Sequence, residues 1–227
     1  MAQRRVVVAI DGPAGAGKST IARRVAEKMG FTYIDSGAMY RAVALWAVRQ
    51  GIDCGDMHRM EQLSLAAELK LDPGRILLNG EDVSEAIRTP ELAAAASRAA
   101  AIPGVRRALV AKQRAIAERA SVVMEGRDIG TVVFPNADVK IYLDARPEER
   151  IHRRICEEQA KGGAIDPASL AREIEDRDRR DSTRADSPLA QAPDAVYLDT
   201  TPLDLDEVEA AILKIVRDRV TNGKVIS

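Results

Sequence analysis

The sequence is short of the residues from which metal centres, disulfide frameworks and histidine-based catalysis are built. Its 227 residues include only two cysteines, Cys54 and Cys156, and two histidines, His58 and His152. Neither pair has the close spacing of a zinc site or of a redox CxxC motif. We therefore expect no disulfide framework, no zinc centre and no catalytic histidine.

The chain also lacks a strong charge of one sign and a long apolar run. Its formal net charge is −1, so no global positive field attracts it to nucleic acids or to anionic lipids. The apolar run within MAQRRVVVAID is too short for a signal peptide, and no stretch approaches the ~18 apolar residues of a membrane span. These absences predict a cytoplasmic protein that binds neither nucleic acid nor a membrane.

Glycine, by contrast, is concentrated in one short segment. Residues 12–20 read GPAGAGKST and follow the run VVVAI and Asp11, which matches the phosphate-loop pattern GxxxxGK[ST] at every fixed position. Backbone N–H groups of such a loop surround an anion, and the following helix adds the positive end of its dipole. Lys18 supplies a charge for the outer phosphates, and the Ser19 hydroxyl is a ligand for Mg²⁺. An ordinary glycine-rich turn would not need all of these positions. The predicted ATP-binding residues of the loop are Gly12, Pro13, Ala14, Gly15, Ala16, Gly17, Lys18, Ser19 and Thr20.

Apolar, β-branched runs recur between amphipathic stretches along the chain. This alternation is typical of βα units and predicts a doubly wound α/β fold, in which five parallel strands are buried between helices. Ligands of such folds bind at the carboxyl ends of the strands, where this sequence has the phosphate loop, Ser36 and Gly126-Arg127-Asp128. The predicted strands are residues 6–10, 31–35, 121–125, 138–144 and 194–199.

Residues 56–102 interrupt this alternation. Helical patterns there flank short strand patterns with Pro-Gly and Asn-Gly turns, so we predict a mixed α/β insertion. The insertion would lie beside a single core domain formed by about residues 1–55 and 103–220. Residues 221–227 are predicted to be a loose tail.

Arginines occur at several separated positions, as phosphoryl transfer between two anionic substrates requires. The guanidinium fork matches phosphate oxygens better than the lysine ammonium does. The guanine-reading NKxD motif of GTPases is absent, and the run SVVME ends in Glu125, an ambiguous match to the magnesium-holding Asp of motor ATPases. The arginines in question are Arg41, Arg106, Arg127, Arg177 and Arg184.

Three of the charged residues have helical spacing. Arg177, Asp181 and Arg184 stand at i, i+4 and i+7 and therefore project from one helix face. From spacing alone, a solvated helix held by Asp–Arg pairs is the better interpretation. Likewise, Ser36 could be an ordinary helix N-cap, and residues 126–128 an ordinary turn.

Five blocks occur in order along the chain: AIDGPAGAGKST, YIDSGAMYR, ASRAAAIPGVRRAL, EGRDIGTVVFPNADVKIYLDA and RDRRDSTRADSPL. Together they resemble the bacterial cytidylate kinases over roughly residues 5–218. The phosphate loop is general among P-loop proteins, whereas DSGAMYR and GRDIGTVVFP are specific to this family among the small kinases. The resemblance implies an α/β P-loop kinase core, a nucleoside-monophosphate-binding insertion at 56–102 and a short lid at about 156–169. It also implies Mg²⁺-dependent phosphorylation of CMP or dCMP by ATP, and we expect a monomer.

The resemblance further assigns roles on the acceptor side of the reaction. Ser36 and Arg41 match residues beside the acceptor nucleotide, with Arg41 on its phosphate. Arg127 and Arg184 match further phosphate ligands. The residues that match the family's cytosine-reading set are Ser97, Arg106 and Asp128. The residues that match those holding the ribose hydroxyls are Arg177 and Asp181.

On the donor side, the resemblance places Arg153 in the lid near the ATP. The residues expected to stabilise the transferring phosphoryl group are Lys18, Arg127 and Arg184. One position departs from the family pattern, because Glu125 stands where Asp usually precedes GRD, and its longer arm could alter the Mg²⁺ geometry. Two alternatives stay open: a kinase of similar fold that acts on another small molecule, and a nucleotide-dependent switch that turns over slowly.

Overall fold

Strands and helices alternate along most of the chain. The computed structural model describes residues 4–72, 74–160 and 166–222. In chain order the elements are β1 (Val7–Asp11), α1 (Lys18–Met29), β2 (Thr32–Asp35), α2 (Ser36–Arg49), α3 (Met57–Ala66), β3 (Leu69–Asp72), β4 (Arg75–Leu78), β5 (Glu81–Asp82), α4 (Pro90–Ala99), α5 (Pro103–Ala117), β6 (Val122–Gly126), a π-helical segment (Ile129–Val133), β7 (Val139–Asp144), α6 (Pro147–Ala160), α7 (Pro167–Thr183), β8 (Val196–Asp199) and α8 (Leu205–Asn222).

The five predicted strands form one parallel sheet in the order β2-β6-β1-β7-β8, which confirms the predicted α/β fold class. Parallel neighbours need crossover connections, and helices cover the sheet for that reason. Asp11 at the end of β1 is in register with Gly126 of β6 and Tyr142 of β7. Asp35 at the end of β2 is in register with Glu125. The polar residues that follow these strands therefore meet at one edge of the sheet.

Both faces of the sheet are covered by apolar side chains. On one face Ile10 and Ile141 belong to a buried cluster with Ile21 of α1 and Ile212 of α8. On the other face Met124 belongs to a second cluster that continues through α2 and α5. These two layers hold the ends of the central strands in place, and hence the loops that follow them.

Residues 57–99 carry two helices, α3 and α4, and a three-stranded sheet of order β3-β4-β5 with antiparallel pairing. Their apolar side chains do not form a separate core. Leu63 of α3, Leu78 of β4 and Leu92 of α4 are buried in the same cluster as Met39 of α2. This region is therefore a mixed α/β layer attached to the main sheet through α2.

Helices α6 and α7 pack against each other, and the end of α6 and the start of α7 extend into the predicted lid at about 156–169. Residues 161–165 within that lid lie outside the described residues. Helix α8 extends to Asn222, and residues 223–227 of the predicted tail also lie outside them. Across the parts of the chain that the structure describes, no helix combines the length and the apolar character needed to cross a membrane.

Candidate active site

The phosphate loop joins β1 to α1 in a conformation that depends on glycine. Gly12 has a φ of +150°, and a Cβ added there would lie 1.9 Å from the carbonyl oxygen of Leu143. Gly17 has a φ of +85° and caps the amino terminus of α1 with no side-chain hydrogen bond. The unpaired N–H groups of the first helical turn therefore remain available at the loop.

Lys18 is buried at the start of α1, and its Nζ donates a hydrogen bond to the Pro13 carbonyl oxygen at 2.6 Å. Burial and the nearby Arg127 guanidinium lower the pKa of Lys18 to about 7. A polyphosphate beside this amine would restore the charged form, because an anion stabilises an ammonium group in a poorly solvated site. The loop is thus electrostatically suited to an anion.

The hydroxyl of Ser19 donates to Glu125 Oε1 at 2.7 Å. Burial and the neighbouring Asp35 carboxylate raise the pKa of Glu125. A divalent cation would relieve both costs, since it offers positive charge to two close carboxylates. The longer arm of Glu125, at the position where the sequence departs from the family pattern, is what contacts the Ser19 hydroxyl.

The loop opens into a cleft of about 740 Å³. The cleft extends from the phosphate loop to the 57–99 layer and receives side chains from α4, α5, α7 and the end of β6. Most of the predicted site residues line it, although they come from distant parts of the sequence. The predicted residues that line the cleft are Ala14, Gly15, Gly17, Lys18, Ser19, Thr20, Ser36, Arg41, Ser97, Arg106, Arg127, Asp128, Arg177, Asp181 and Arg184.

Four predicted residues do not line the cleft: Gly12, Pro13, Ala16 and Arg153. The first three belong to the phosphate loop itself. Arg153 is directed elsewhere, because its guanidinium donates to Glu149 Oε1 at 2.9 Å, to Thr200 Oγ1 at 2.9 Å and to the Thr200 carbonyl oxygen at 2.8 Å. On α6 it is the next residue, Arg154, that lines the cleft.

At the far end of the cleft, a buried Arg–Asp pair lies beside an aromatic ring. The Arg106 guanidinium donates to the Asp128 carboxylate and lies 6.0 Å from the centroid of the Tyr40 ring. Burial raises the pKa of Asp128, while Arg106 and Arg184 oppose that rise. Ser97 Oγ and Arg106 Nε are both buried and have no hydrogen-bond partner. Both residues line the cleft, where a polar ligand would satisfy these groups.

Helix α7 and the residue after it place further charges in the cleft. Arg127 Nε donates to Asp181 Oδ2 at 2.9 Å, and Arg184 lies within 4 Å of the carboxylates of both Asp128 and Asp181. Burial and Arg127 lower the pKa of Arg177 to about 10. Asp181 is only 5% exposed, so the interpretation of this face as solvated is wrong. The spacing showed a common face but could not show that it is buried.

The interpretation of Ser36 as a helix N-cap is also wrong. Asp35 caps α2 instead, because its Oδ1 accepts from the backbone N–H of Ala38 at 2.8 Å. Ser36 Oγ donates to the carbonyl oxygen of Glu125 at 2.7 Å. Arg41, one turn further along α2, is held by Asp35 Oδ2 at 3.0 Å, and its guanidinium remains at the cleft wall.

Sequence reasoning missed several residues that support the site. Asp11 is buried and accepts from the backbone N–H groups of Ile129 and Gly130 at 2.8 and 2.7 Å, and burial raises its pKa to about 6. Its position at the end of a buried strand could have identified it. Arg150 and Asp178 both contact Ala14, but they stand among many charged helical residues that give no such signal.

Comparison with known proteins agrees with this geometry. The cytidylate kinase family model matches residues 8–218. The cytidylate kinase of Solibacter usitatus (strain Ellin6076) is 69% identical, over 98% of this chain and 97% of that protein. The cytidylate kinase of Pelotomaculum thermopropionicum is 47% identical, over 96% of each. A crystal structure of an uncharacterized protein from Eubacterium ventriosum superposes with a TM-score of 0.50 and 12% identity, over 92% of this chain and 97% of that one, and shows the fold alone. The extent of the family match and of these identities shows that the chain belongs to the cytidylate kinase family.

Proposed function

We propose that the protein transfers the γ-phosphoryl group of ATP to CMP or dCMP and so forms ADP and CDP or dCDP. The observation that carries this proposal is that one cleft joins the phosphate loop to the buried Arg106–Asp128 pair. One end of the cleft suits a polyphosphate, and the other has hydrogen-bonding groups that suit a base edge. The curated relatives bear the name of this activity.

On the donor side, the backbone of the phosphate loop and Lys18 would hold the ATP phosphates. The residues fit Mg²⁺, because the Ser19 hydroxyl and the Glu125 carboxylate lie 2.7 Å apart and are hard oxygen ligands of the kind that this ion prefers. When bound, Mg²⁺ would neutralise charge on the phosphate oxygens.

On the acceptor side, Arg41, Arg127 and Arg184 would bind the phosphate of the monophosphate. An oxygen of that phosphate attacks the γ-phosphorus as the bond to the β–γ bridging oxygen breaks, and ADP leaves with the bridging oxygen. No covalent intermediate with the enzyme is needed. The protein contributes positioning and cationic stabilisation of the transferring group, with Lys18 acting beside the arginines.

The base end of the cleft has the polarity that cytosine requires. An ionised Asp128 can only accept and therefore suits the N4 amino group, as does the Ser97 hydroxyl. Arg106 can only donate, and its fork can reach N3 and O2. Uracil reverses the polarity at positions 4 and 3, so it would leave these groups unpaired. Arg177 and Asp181, which line the same cleft, would hold the ribose hydroxyls.

Residues 56–102 would then be the monophosphate-binding region, and α6 and α7 would flank the lid beside the donor nucleotide. The residues assigned to both nucleotides line one cleft, so the proposed reaction does not call for a second subunit. Both cysteines are free thiols, one buried and one exposed, as suits the reducing cytoplasm where nucleotide substrates occur.

The proposal is tested by measuring ADP production with CMP, dCMP, UMP and AMP as acceptors, and with no acceptor. We expect turnover with CMP and dCMP, and a kcat/KM for UMP lower by a factor on the order of 10². Negligible ATP consumption without an acceptor would separate a kinase from a nucleotide-dependent switch or motor. Equal turnover with CMP and UMP would contradict the proposed base recognition.

A further inference from the structure

Two charged residues outside the proposed substrate contacts hold the backbone of the phosphate loop. Ala14 N–H donates to Asp178 Oδ1 at 2.9 Å, and the Ala14 carbonyl oxygen accepts from Arg150 Nη1 at 2.8 Å. Arg150 also donates to the other oxygen of Asp178. Both polar groups of one loop residue are therefore bound by a single Arg–Asp pair.

This pair belongs to helices α6 and α7 rather than to the sheet. Arg150 is buried, and its Nε donates to the Ala145 carbonyl oxygen at 3.1 Å. The backbone of α6 also lies close to the loop, because a Cβ added at Gly15 would lie 2.9 Å from the Arg150 carbonyl oxygen. The loop conformation thus depends on where these two helices lie.

Helix α7 contacts the acceptor side of the cleft from the same region of its surface. Asp181 follows Asp178 by three residues, so the two carboxylates lie on adjacent turns of one helix face. Asp181 accepts from Arg127, and Arg177 from the same helix lines the cleft. One rigid element is therefore hydrogen-bonded to the donor loop through Asp178 and to the acceptor residues through Asp181.

We propose that Asp178 and Arg150 are positioning residues through which α7 couples the two nucleotide sites, an inference that rests on the proposed function. A phosphate bound in the loop fixes the orientation of the Ala14 peptide groups. Through Asp178 and Arg150 this fixes the position of α7, and hence of the residues that hold the acceptor. The coupling is reciprocal, so the acceptor nucleotide favours the loop conformation that binds the donor.

The inference is tested by measuring the Kd of CMP with and without a saturating, non-hydrolysable ATP analogue and Mg²⁺. In the wild-type protein we expect the analogue to lower the Kd of CMP by about 5-fold or more. We define the coupling ratio as the Kd of CMP without the analogue divided by the Kd with it. In Asp178→Ala we expect this ratio to fall to about 1–2, while the Kd of CMP alone changes by less than about 3-fold. Asp176→Ala is the matched control, because Asp176 is an exposed residue of α7 that pairs with Arg179, and it should retain the wild-type ratio.

If Asp178 had only a structural role, its replacement would lower the melting temperature and weaken the binding of both nucleotides without changing the coupling ratio. An unchanged ratio in Asp178→Ala therefore refutes the inference. A wild-type ratio of 1 refutes it as well. If Asp178→Ala does not fold, the same measurement on Arg150→Lys decides. Arg150 Nη1 donates to both the Ala14 carbonyl oxygen and Asp178, and the shorter lysine side chain does not reach that position. Failure of the wild-type protein to phosphorylate CMP would instead refute the proposed function.

Discussion

Replacing Asp128 with asparagine removes one charge from the base end of the cleft and preserves the shape of the side chain. In the wild-type protein Asp128 Oδ2 accepts from Arg106, and Oδ1 lies 3.7 Å from Arg184 Nη2. An asparagine here would keep its oxygen on Arg106, since a guanidinium can only donate. Its NH₂ group would then face the base, where it can donate to the O4 of uracil but not pair with the N4 of cytosine.

The expected change in selectivity follows from the hydrogen bonds that are lost and formed. A hydrogen bond to a charged group contributes about 1.5–3 kcal/mol, and each 1.4 kcal/mol is a tenfold change. Loss of the bond from N4 to Asp128 should therefore lower kcat/KM for CMP by about 10–100-fold. Because uracil gains a donor at the same position, the CMP:UMP ratio should fall from on the order of 10² to about 10 or below.

The assay is steady-state ADP production by Asp128→Asn with each monophosphate, together with the KM for ATP, which should change by less than about 3-fold. Asp176→Asn, an isosteric change on the exposed surface of α7, should leave the ratio at its wild-type value. Thermal unfolding reports whether the variant is folded, because Arg106 is nearly fully buried and loses its charged partner. A CMP:UMP ratio that stays near 10² in the folded variant would refute the assignment of Asp128 to the base.

Three further changes test other parts of the site. Lys18→Met keeps the aliphatic chain but removes the charge, and kcat/KM should fall by a factor on the order of 10³ or more. Near-normal turnover would show that the phosphate loop takes no part in the reaction. Arg184→Ala should raise the KM for CMP much more than the KM for ATP, and the reverse pattern would contradict the division between acceptor and donor sides. Gly12→Ala places a Cβ 1.9 Å from the Leu143 carbonyl oxygen, so we expect a loss of about 2 kcal/mol or more and a Tm lower by about 5 °C or more. Gly51→Ala, also at positive φ but with open space around the added Cβ, should cost clearly less, and an equal loss would show that the effect is backbone strain alone.

The sequence by itself determined the central fold and the donor loop. Apolar runs such as 6–10 and 138–144 recur between amphipathic helical stretches, and this alternation indicates strands buried in a parallel sheet between helices. The phosphate loop is equally local, because its glycines, Lys18 and Ser19 lie within one turn between a strand and a helix. The structure has β1 and α1 on either side of that turn.

The acceptor end of the cleft was visible in the sequence only through the family resemblance. The spacing of Arg177, Asp181 and Arg184 indicates a shared helix face, but spacing carries no information about what covers that face. Asp181 is only 5% exposed because it packs against residues that are distant in sequence, including Arg127. Charged helices look alike in sequence whether water or another element covers them.

Only the tertiary structure decided which residues support the phosphate loop without lining the cleft. The contact of Asp178 and Arg150 with Ala14 joins residues from three separate segments, and no local pattern distinguishes this pair from the exposed ion pairs nearby. The same holds for Arg153, whose neighbour Arg154 lines the cleft while Arg153 binds Thr200. Adjacent residues of a helix point about 100° apart, so the rotation of α6 against the sheet, set by long-range packing, decides which arginine reaches the cleft.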